Sequence, residues 1–187
     1  MSKKKQKGPK YGYTIFAPIP ELEDLIQKYR LQYNYFMKMR GIPAHVTIFY
    51  ALSENNYMKN KELIHQLFRV LPNVLKNKKL TLERVQFEKS MVSIKFDKKS
   101  EEYLLKIQEI LSKKLGLSNQ NKKIKSPHVT LFTDRIPQNF KRGLEEKNQI
   151  LEEIGSKLPV TIQLHKIWFV KFNKNESNSR VLEEIRF

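Results

Sequence analysis

The sequence predicts an α+β fold with antiparallel strand pairing. Helical and strand periodicities alternate along the chain, and two pairs of predicted strands are separated by connections too short to hold a crossover helix. A strand segment of five residues also occurs twice in nearly the same form. Because short connections require antiparallel neighbours, these patterns favour an α+β domain over a doubly wound parallel sheet.

The first four predicted elements alternate between strand and helix. A β-rich run at 11–17 is closed by prolines, and apolar residues three and four positions apart predict a helix over 21–39 with acidic residues in its first turn. The segment 44–52 has strong β propensity. One apolar stripe predicts a helix over 61–71, which Pro72 is expected to end.

The middle of the chain is predicted to form a hairpin, a helix and a further strand. Two strands, 80–87 and 91–96, flank a short turn. An amphipathic helix over 101–115 follows, and Gly116 stands where a helix C-terminus favours a left-handed residue. After a polar, basic loop the chain returns to strand at 127–133.

The C-terminal part is predicted to form one helix and two strands. The helix covers 139–154, and a long β-rich run at 160–172 follows it. The run at 181–187 can pair with that strand across a loop of Asn, Ser and Lys. The chain therefore divides into a flexible basic arm, residues 1–10, and a single globular domain, residues 11–187.

The composition excludes several classes of protein. The 187 residues include no cysteine, which excludes a disulfide scaffold, a thiolate zinc or iron–sulfur site and a cysteine nucleophile. Only 6 glycines are present and no glycine-rich phosphate loop occurs, so Rossmann and Walker nucleotide sites are not expected. The sequence contains neither a membrane-length apolar run nor a hydrophobic signal segment, so we expect a soluble, cytoplasmic protein.

The net charge of +17 points to an anionic partner. The chain has 36 Lys and Arg against 19 Asp and Glu, and nucleic acid is the leading candidate because cationic side chains neutralise phosphates and release counterions. Lysine dominates, which suits diffuse attraction to phosphates better than the reading of bases. The alternative is a basic surface that only keeps the protein soluble.

The most informative feature is a repeated His-x-Thr segment. The segments HVTIF, from His45, and HVTLF, from His128, each follow a proline by one or two positions. Alternate side chains of a strand point to the same face, so His45 and Thr47 are expected side by side, as are His128 and Thr130. If a pseudo-twofold axis relates the two halves, the two pairs converge across one groove.

Two opposed imidazoles and two hydroxyls suit the chemistry of a phosphodiester. A neutral histidine can take a proton from the nucleophile while a protonated one gives a proton to the leaving oxygen. Threonine hydroxyls can hydrogen-bond the non-bridging oxygens and stabilise the charge of the transition state. We predict His45 and His128 as the acid and base, in either order, and Thr47 and Thr130 as the phosphoryl clamp, with no metal or cofactor required.

The two motifs resemble those of the 2H phosphoesterase superfamily, also called the 2′-5′ RNA ligase-like family. IPAHVTIFY is similar to its N-terminal motif, and SPHVTLF is similar to its C-terminal motif, where proline commonly precedes the histidine. The resemblance covers about residues 11–187. It implies a bilobal, pseudo-twofold α+β fold with two antiparallel sheets, outer helices and a central cleft. The residues after the second motif, Thr133-Asp134-Arg135, depart from a common version in which a basic residue follows directly.

Four further residues are predicted to bind substrate. Tyr11 and Tyr13 are expected to share one face of the first strand and to stack on a base. Lys125 precedes the second motif and can guide a phosphate backbone, although a solvated basic loop is the alternative. Arg135 can lie at the rim of the cleft.

Other aromatic and imidazole side chains receive different interpretations. Trp168 is a further candidate for base stacking, whereas Phe16 is expected to pack in the core. His65 is interpreted as a residue at the border of a helix, and His165 as a strand residue that can line the cleft. The spacing of the four histidines does not fit a metal site.

By this resemblance the protein is a 2H-type phosphodiesterase that needs no metal. It would act on RNA ends with a 2′,3′-cyclic phosphate, or on 2′-5′-linked or cyclic nucleotides, as a monomer and without a membrane partner. Two alternatives stay open: a basic RNA-binding module that recognises a terminal phosphate with little catalysis, and an RNA 2′-5′ ligase that runs the reverse reaction. Both motifs are complete, which favours an enzyme because a binding module would tolerate the loss of either imidazole.

Overall fold

The computed structural model describes residues 11–33, 42–117, 126–134, 137–173 and 179–187. Within these ranges the chain forms strands and α-helices in alternation. The strands are β1 (Tyr11–Pro18), β2 (His45–Ser53), β3 (Lys79–Glu88), β4 (Met91–Phe96), β5 (His128–Thr133), β6 (Val160–Gln163), β7 (Lys166–Asn173) and β8 (Ser179–Arg186). The helices are α1 (Glu23–Tyr33), α2 (Glu54–Lys59), α3 (Lys61–Leu75), α4 (Lys98–Lys114), α5 (Pro137–Glu145) and α6 (Lys147–Gly155).

The fold is α+β, as the sequence predicted, and its strands pair antiparallel. The described strands form one sheet in the order β6-β3-β4-β5-β2-β1-β7-β8. The expected two sheets are therefore two four-stranded halves of one sheet, which meet where β2 lies beside β5. These two strands share one paired position, Val46 with Val129. The halves are thus continuous, and the junction runs through both His-x-Thr segments.

The two halves repeat one arrangement of strand, helix and strand. In the first, β1 leads through α1 to its antiparallel neighbour β2; in the second, β4 leads through α4 to its antiparallel neighbour β5. The outer strands of the two halves do not follow chain order. Strands β3 and β6 complete the second half, whereas β7 and β8, from the end of the chain, complete the first. The pseudo-twofold relation therefore centres on the β2–β5 junction.

The helices and the sheet enclose the core on one face of the sheet. The residues that alternate with the motif side chains are completely or almost completely buried there: Val46, Ile48, Val129 and Leu131. Burying side chains of this size stabilises the folded state by roughly 1.5–3 kcal/mol each. The opposite face of the same strands is left to carry His45, Thr47, His128 and Thr130, as the period of two predicted.

Several helix boundaries differ from the sequence prediction. Helix α3 continues through Pro72 to Leu75, because both residues are buried and packing there outweighs the hydrogen bond that proline cannot donate. The helix predicted over 139–154 is two helices separated at Glu146. Helix α4 ends as expected, with Gly116 at φ +65° and with the Gly116 and Leu117 amides donating to the carbonyls of Lys113 and Ser112.

The β-rich run predicted at 160–172 is divided between the two halves. Its first part, β6, pairs with β3, and its second part, β7, pairs with β1. His165 lies in the break between them and is exposed. The basic arm at 1–10 and the end of the helix predicted over 21–39 lie outside the described residues. No helix in the described part of the chain is long and apolar enough to cross a membrane.

The close packing of α5 on β5 leads to a stability prediction. A Cβ added at Gly143 would lie 2.7 Å from the Phe132 ring and 3.3 Å from that of Tyr33. We expect Gly143→Ala to lower the free energy of unfolding by about 1–3 kcal/mol, as overpacking of a core typically does. Urea denaturation followed by circular dichroism measures this loss.

Gly155, the last residue of α6, provides the matched control. A Cβ there meets no atom within 4 Å. Gly155→Ala is expected to leave stability unchanged or to raise it by up to about 1 kcal/mol through the helix propensity of alanine. Equal stability of the two variants would contradict the packing described between α5 and β5.

Candidate active site

The two His-x-Thr pairs lie across from each other at the junction of the two halves. His45 and His128 are the first residues of β2 and β5. The antiparallel pairing of Val46 with Val129 sets His45 across from Thr130 and Thr47 across from His128. The charge of His128 also acts on the imidazole of His45, so the two rings lie near each other. The four side chains therefore form one compact group on the face away from the helices.

The two imidazoles are held by the same hydrogen bond. Nδ1 of His45 lies 2.8 Å from the carbonyl oxygen of Pro43, and Nδ1 of His128 lies 2.7 Å from that of Ser126. A carbonyl can only accept, so each Nδ1 carries the proton and donates it. Each ring is thereby oriented by the backbone two residues earlier, which leaves Nε2 as the atom able to exchange a proton with a substrate.

His45 is neutral at physiological pH. Burial of the imidazole, with the positive charge of Arg30 second, lowers the pKa of His45 to about 3; the hydrogen bond to Pro43 opposes this effect, and His128 adds to it weakly. The neutral ring has a proton on Nδ1 and a lone pair on Nε2. Nε2 of His45 is therefore a proton acceptor in the free protein.

The threonine hydroxyls complete the group. Thr47 and Thr130 are partly buried, and Thr130 Oγ1 lies 3.7 Å from the sulfur of Met91 on β4. That contact is a weak one for a hydroxyl, since a thioether is a poor acceptor. Two hydroxyls beside two imidazoles form a set of donors able to bind the oxygens of a phosphoryl group.

The strands on either side give the two ends of the site different chemistry. In the first half, Phe16 of β1 lies across from Thr47, and its ring centroid is 4.3 Å from that of His45 and 5.7 Å from that of Trp168. The indole Nε1 of Trp168 donates to the carboxylate of Glu184. This side of the site is therefore aromatic, and Phe16 packs against the site where the sequence predicted only a core role.

The second half has Ser93 at the place equivalent to Phe16, and Lys95 lies two positions further along β4. Lys95 of β4 lies across from His128, and Ser93 lies across from Thr130. Lys95 is 5% exposed, and its ammonium group is 2.8 Å from a carboxylate oxygen of Glu88. One side of this group of four side chains is thus aromatic, and the other carries the Lys95–Glu88 ion pair. No sequence pattern points to Lys95 or Ser93, because only the pairing of β4 with β5 puts them beside the motif.

The prediction that Tyr13 stacks on a base is wrong. Its ring is 3% exposed and stacks on Tyr57 at 3.9 Å between centroids, on the face of the sheet that the helices cover. Phe16, three positions later, lies on the face that carries His45. The two faces of β1 are therefore the reverse of those expected from the sequence. Tyr11 opens β1 across from Asn173. Lys125 and Arg135 lie outside the described residues.

The other two histidines lie away from the site. His65 donates from Nδ1 to Glu183 at 2.9 Å, and its Nε2 shares a hydrogen bond of 3.2 Å with the Tyr57 hydroxyl, so it is a partnered helix residue, as interpreted from the sequence. His165 is exposed, and its carbonyl accepts from the Phe187 amide. Within the described ranges, no three His, Cys, Asp or Glu side chains are grouped to hold a metal ion.

Two solved structures share this fold at low sequence identity. One is a conserved protein of unknown function from Agrobacterium tumefaciens, with 14% identity and a TM-score of 0.55 over 93% of this chain and 85% of that one. The other is Kluyveromyces marxianus Usb1 with uridine monophosphate, with 11% identity and a TM-score of 0.51 over 94% of this chain and 96% of that one. No curated protein matches the chain by sequence. At these identities, the similarity of the structures concerns the fold alone.

The family assignment rests on the sequence as well as the fold. The family model of the 2′-5′ RNA ligase superfamily matches residues 18–176, a range that includes both His-x-Thr segments and most of the sheet. The resemblance seen in the two motifs is thereby confirmed. Since this match extends over more than half of the chain, the protein belongs to the 2′-5′ RNA ligase superfamily.

Proposed function

We propose that the protein is a phosphodiesterase that acts on RNA ends bearing a 2′,3′-cyclic phosphate, or on 2′-5′-linked or cyclic nucleotides. Membership of the superfamily supports a phosphodiesterase or ligase-like activity in general. The observation that carries the specific proposal is the pair of opposed imidazoles, each holding its Nδ1 proton on a backbone carbonyl and leaving Nε2 for the substrate.

The two imidazoles divide the proton transfers of a hydrolysis between them. With a 2′,3′-cyclic phosphate, water attacks phosphorus while His45 Nε2 takes its proton, because the free protein holds this ring neutral. The bond from phosphorus to one ribose oxygen breaks, and protonated His128 gives its Nε2 proton to that oxygen. Thr47 and Thr130 donate hydrogen bonds to the non-bridging oxygens, whose charge is highest in the transition state.

The unequal ends of the site favour a nucleotide in one orientation. Trp168 is suited to a nucleobase, since it is partly exposed and every base has a face that can stack on an aromatic ring, while the buried ring of Phe16 packs beside it. On the opposite side Ser93 and the Lys95–Glu88 ion pair make the site polar, which suits a phosphate better than a base. The solved relative named with uridine monophosphate supports a substrate of this size and chemistry.

A first experiment separates the enzyme from the RNA-binding alternative. Turnover of uridine 2′,3′-cyclic phosphate, 2′-5′-linked dinucleotides and a cyclic-phosphate RNA is measured with EDTA present throughout. We expect multiple turnovers of at least one substrate. Binding without turnover would favour the module that recognises a terminal phosphate, and activity that vanished with EDTA and returned with a divalent ion would contradict the paired-imidazole mechanism.

The paired mechanism predicts a non-additive loss on substitution. His45→Ala and His128→Ala are each expected to lower kcat by about 10²–10⁴-fold, and the double variant should be little worse than either, because the two groups act as a unit. Steady-state kinetics on the best substrate measure this. His165→Ala, a change at an exposed histidine outside the site, is the control and should retain full activity.

The depressed pKa of His45 predicts an unusual acid limb in the pH profile. If His45 is the base, kcat/KM should stay high well below the ordinary imidazole pKa of about 6.5, down to the pH at which the protein unfolds. The profile is measured together with circular dichroism, so that loss of structure is separated from loss of activity. An acid limb near pH 6.5 in folded protein would contradict the assignment of His45 as base.

The same pKa predicts a dependence of stability on pH. Because folding lowers the pKa of His45, the unfolded chain binds more protons than the native state between about pH 3 and 6.5. The contribution of the neutral ring is fully present above pH 6.5 and is lost as the pH falls through this range. His45→Gln should therefore lose less stability than the wild type between pH 7 and 4, whereas the control His165→Gln should follow the wild type.

The net charge predicts that longer RNA binds more tightly than a mononucleotide. Each phosphate neutralised on a single strand contributes a slope of about −0.7 in log affinity against log salt, so contacts to four or five phosphates give a slope near about −3. Fluorescence anisotropy at several salt concentrations measures it. Neutral substitution of Lys122, Lys123 and Lys125 together should flatten the slope.

A matched triple substitution on an exposed helix controls for net charge. Lys98, Lys99 and Lys106 lie exposed on α4. Replacing these three by glutamine removes the same charge and should leave the slope within about one phosphate contact of the wild type. Weak, salt-independent binding of RNA would favour a small nucleotide as the substrate.

A further inference from the structure

At the β2–β5 junction, two backbone carbonyls accept hydrogen bonds from helix side chains. The two strands share only the Val46–Val129 pair. The next carbonyls, those of Thr47 and Thr130, belong to the two motif threonines. A buried carbonyl without a donor costs about 1–3 kcal/mol. The structure supplies the donors from helices.

Each donor comes from the other half of the molecule. Arg30 of α1 donates from Nη2 to the Thr130 carbonyl at 3.2 Å, and Gln108 of α4 donates from Nε2 to the Thr47 carbonyl at 3.2 Å. Helix α1 connects β1 to β2 but contacts β5; helix α4 connects β4 to β5 but contacts β2. Both side chains are buried, at 0% and 3% exposed. The two halves are therefore tied together reciprocally, directly behind the two threonines.

Arg30 also fixes the approach to the first histidine. Its Nη1 donates to the carbonyl of Ile42 at 2.7 Å, and the carboxylate of Glu23, two turns earlier on α1, accepts from the Ala44 amide at 2.6 Å. Between these two anchors lies Pro43, whose carbonyl orients the imidazole of His45. One guanidinium thus contacts the backbone of both motifs.

The charge of Arg30 is poorly compensated within the protein. The side chain forms no ion pair with the carboxylates of the described residues, and its Nε has no hydrogen-bond partner there. Burial lowers the pKa of Arg30 to about 10, with Glu23 opposing the effect, so the group stays positive at neutral pH. A buried, unpaired cation is destabilising by several kcal/mol. Such a cost is explained if a bound anion balances the charge of Arg30 when the site is occupied.

We propose that Arg30 is a positioning residue of the active site, which ties the two motif strands together through Ile42 and Thr130 and supplies the buried positive charge that a substrate phosphoryl group balances. Gln108 performs the matching tie on the other half, without charge. This inference rests on the proposed function for the identity of the anion. The two residues differ in what they supply. Arg30 provides a hydrogen bond between the halves and a positive charge, whereas Gln108 provides only the hydrogen bond.

The charge of Arg30 also lowers the pKa of His45. The groups that act on this imidazole are Arg30 from α1, His128 from β5 and the uncharged ring of Phe16 from β1, while Glu23 of α1 binds the amide of the preceding Ala44. Arg30 is the stronger of the two cationic groups that oppose protonation of His45. Loss of its charge should therefore raise the pKa of His45, and loss of the Gln108 amide should not.

The test compares Arg30→Gln, which removes the charge but retains a donor, with Gln108→Met, which removes the other tie. The pKa of His45 is read by NMR titration of the imidazole, and the affinity for inorganic phosphate by calorimetry. For Arg30→Gln we expect the pKa of His45 to rise by about one pH unit and phosphate to bind about tenfold more weakly. For Gln108→Met we expect neither change, but a fall in kcat of about tenfold from the loosened junction.

Two further variants complete the experiment. Arg142→Gln, at an exposed arginine that also contacts α1, is the control and should match the wild type in every readout. If Arg30→Gln does not fold, Arg30→Lys is tested instead. It keeps the charge but cannot donate to the Ile42 and Thr130 carbonyls at once, so phosphate affinity should stay within about threefold of the wild type while kcat falls. Unchanged phosphate affinity and His45 pKa in Arg30→Gln, or lost phosphate affinity in Arg30→Lys, would overturn the proposal. Neither readout needs turnover, so the proposed function can fail independently.

Discussion

The fold depends on one short contact between two central strands. β2 and β5 pair only at Val46 and Val129, and this single position joins two four-stranded halves into one sheet. The contact determines which side chains meet: antiparallel pairing at the two valines puts each motif histidine across from the threonine of the other motif. A slip of one residue would turn the motif side chains of one strand into the core. The burial of the valines and the grouping of the four motif side chains therefore depend on the same register.

The near symmetry of the two halves makes their differences informative. Both histidines donate Nδ1 to a carbonyl two residues earlier, and both motif carbonyls receive a side chain from the opposite half. The flanking strands do not match, since Phe16 stands on one side where Ser93 stands on the other. The helix side chains that donate to the motif carbonyls differ as well, since Arg30 is a cation and Gln108 an uncharged amide. A symmetric frame thus carries an asymmetric site.

The sequence predicted the features that depend on local pattern. Three features follow from spacing and conformational preference: the repeated His-x-Thr segment, the alternation that puts Val46 and Thr47 on opposite faces, and the helix end at Gly116. Spacing alone does not tell which face of a strand is buried when both faces are hydrophobic. For this reason the sequence predicts the wrong faces for Tyr13 and Phe16. Nothing distinguishes Arg30 from a surface arginine along the chain. Its role arises from the packing of α1 against a strand of the other half.

The most direct test of the account is a crystal structure of the protein with uridine vanadate, a mimic of the trigonal-bipyramidal transition state. The account predicts Nε2 of His45 and Nε2 of His128 on opposite sides of vanadium, each within hydrogen-bond distance of an apical oxygen, with both threonine hydroxyls on equatorial oxygens. Arg30 should remain behind Thr130 with its contacts intact. Vanadate bound away from the β2–β5 junction, or reached by only one of the two imidazoles, would contradict the central claim.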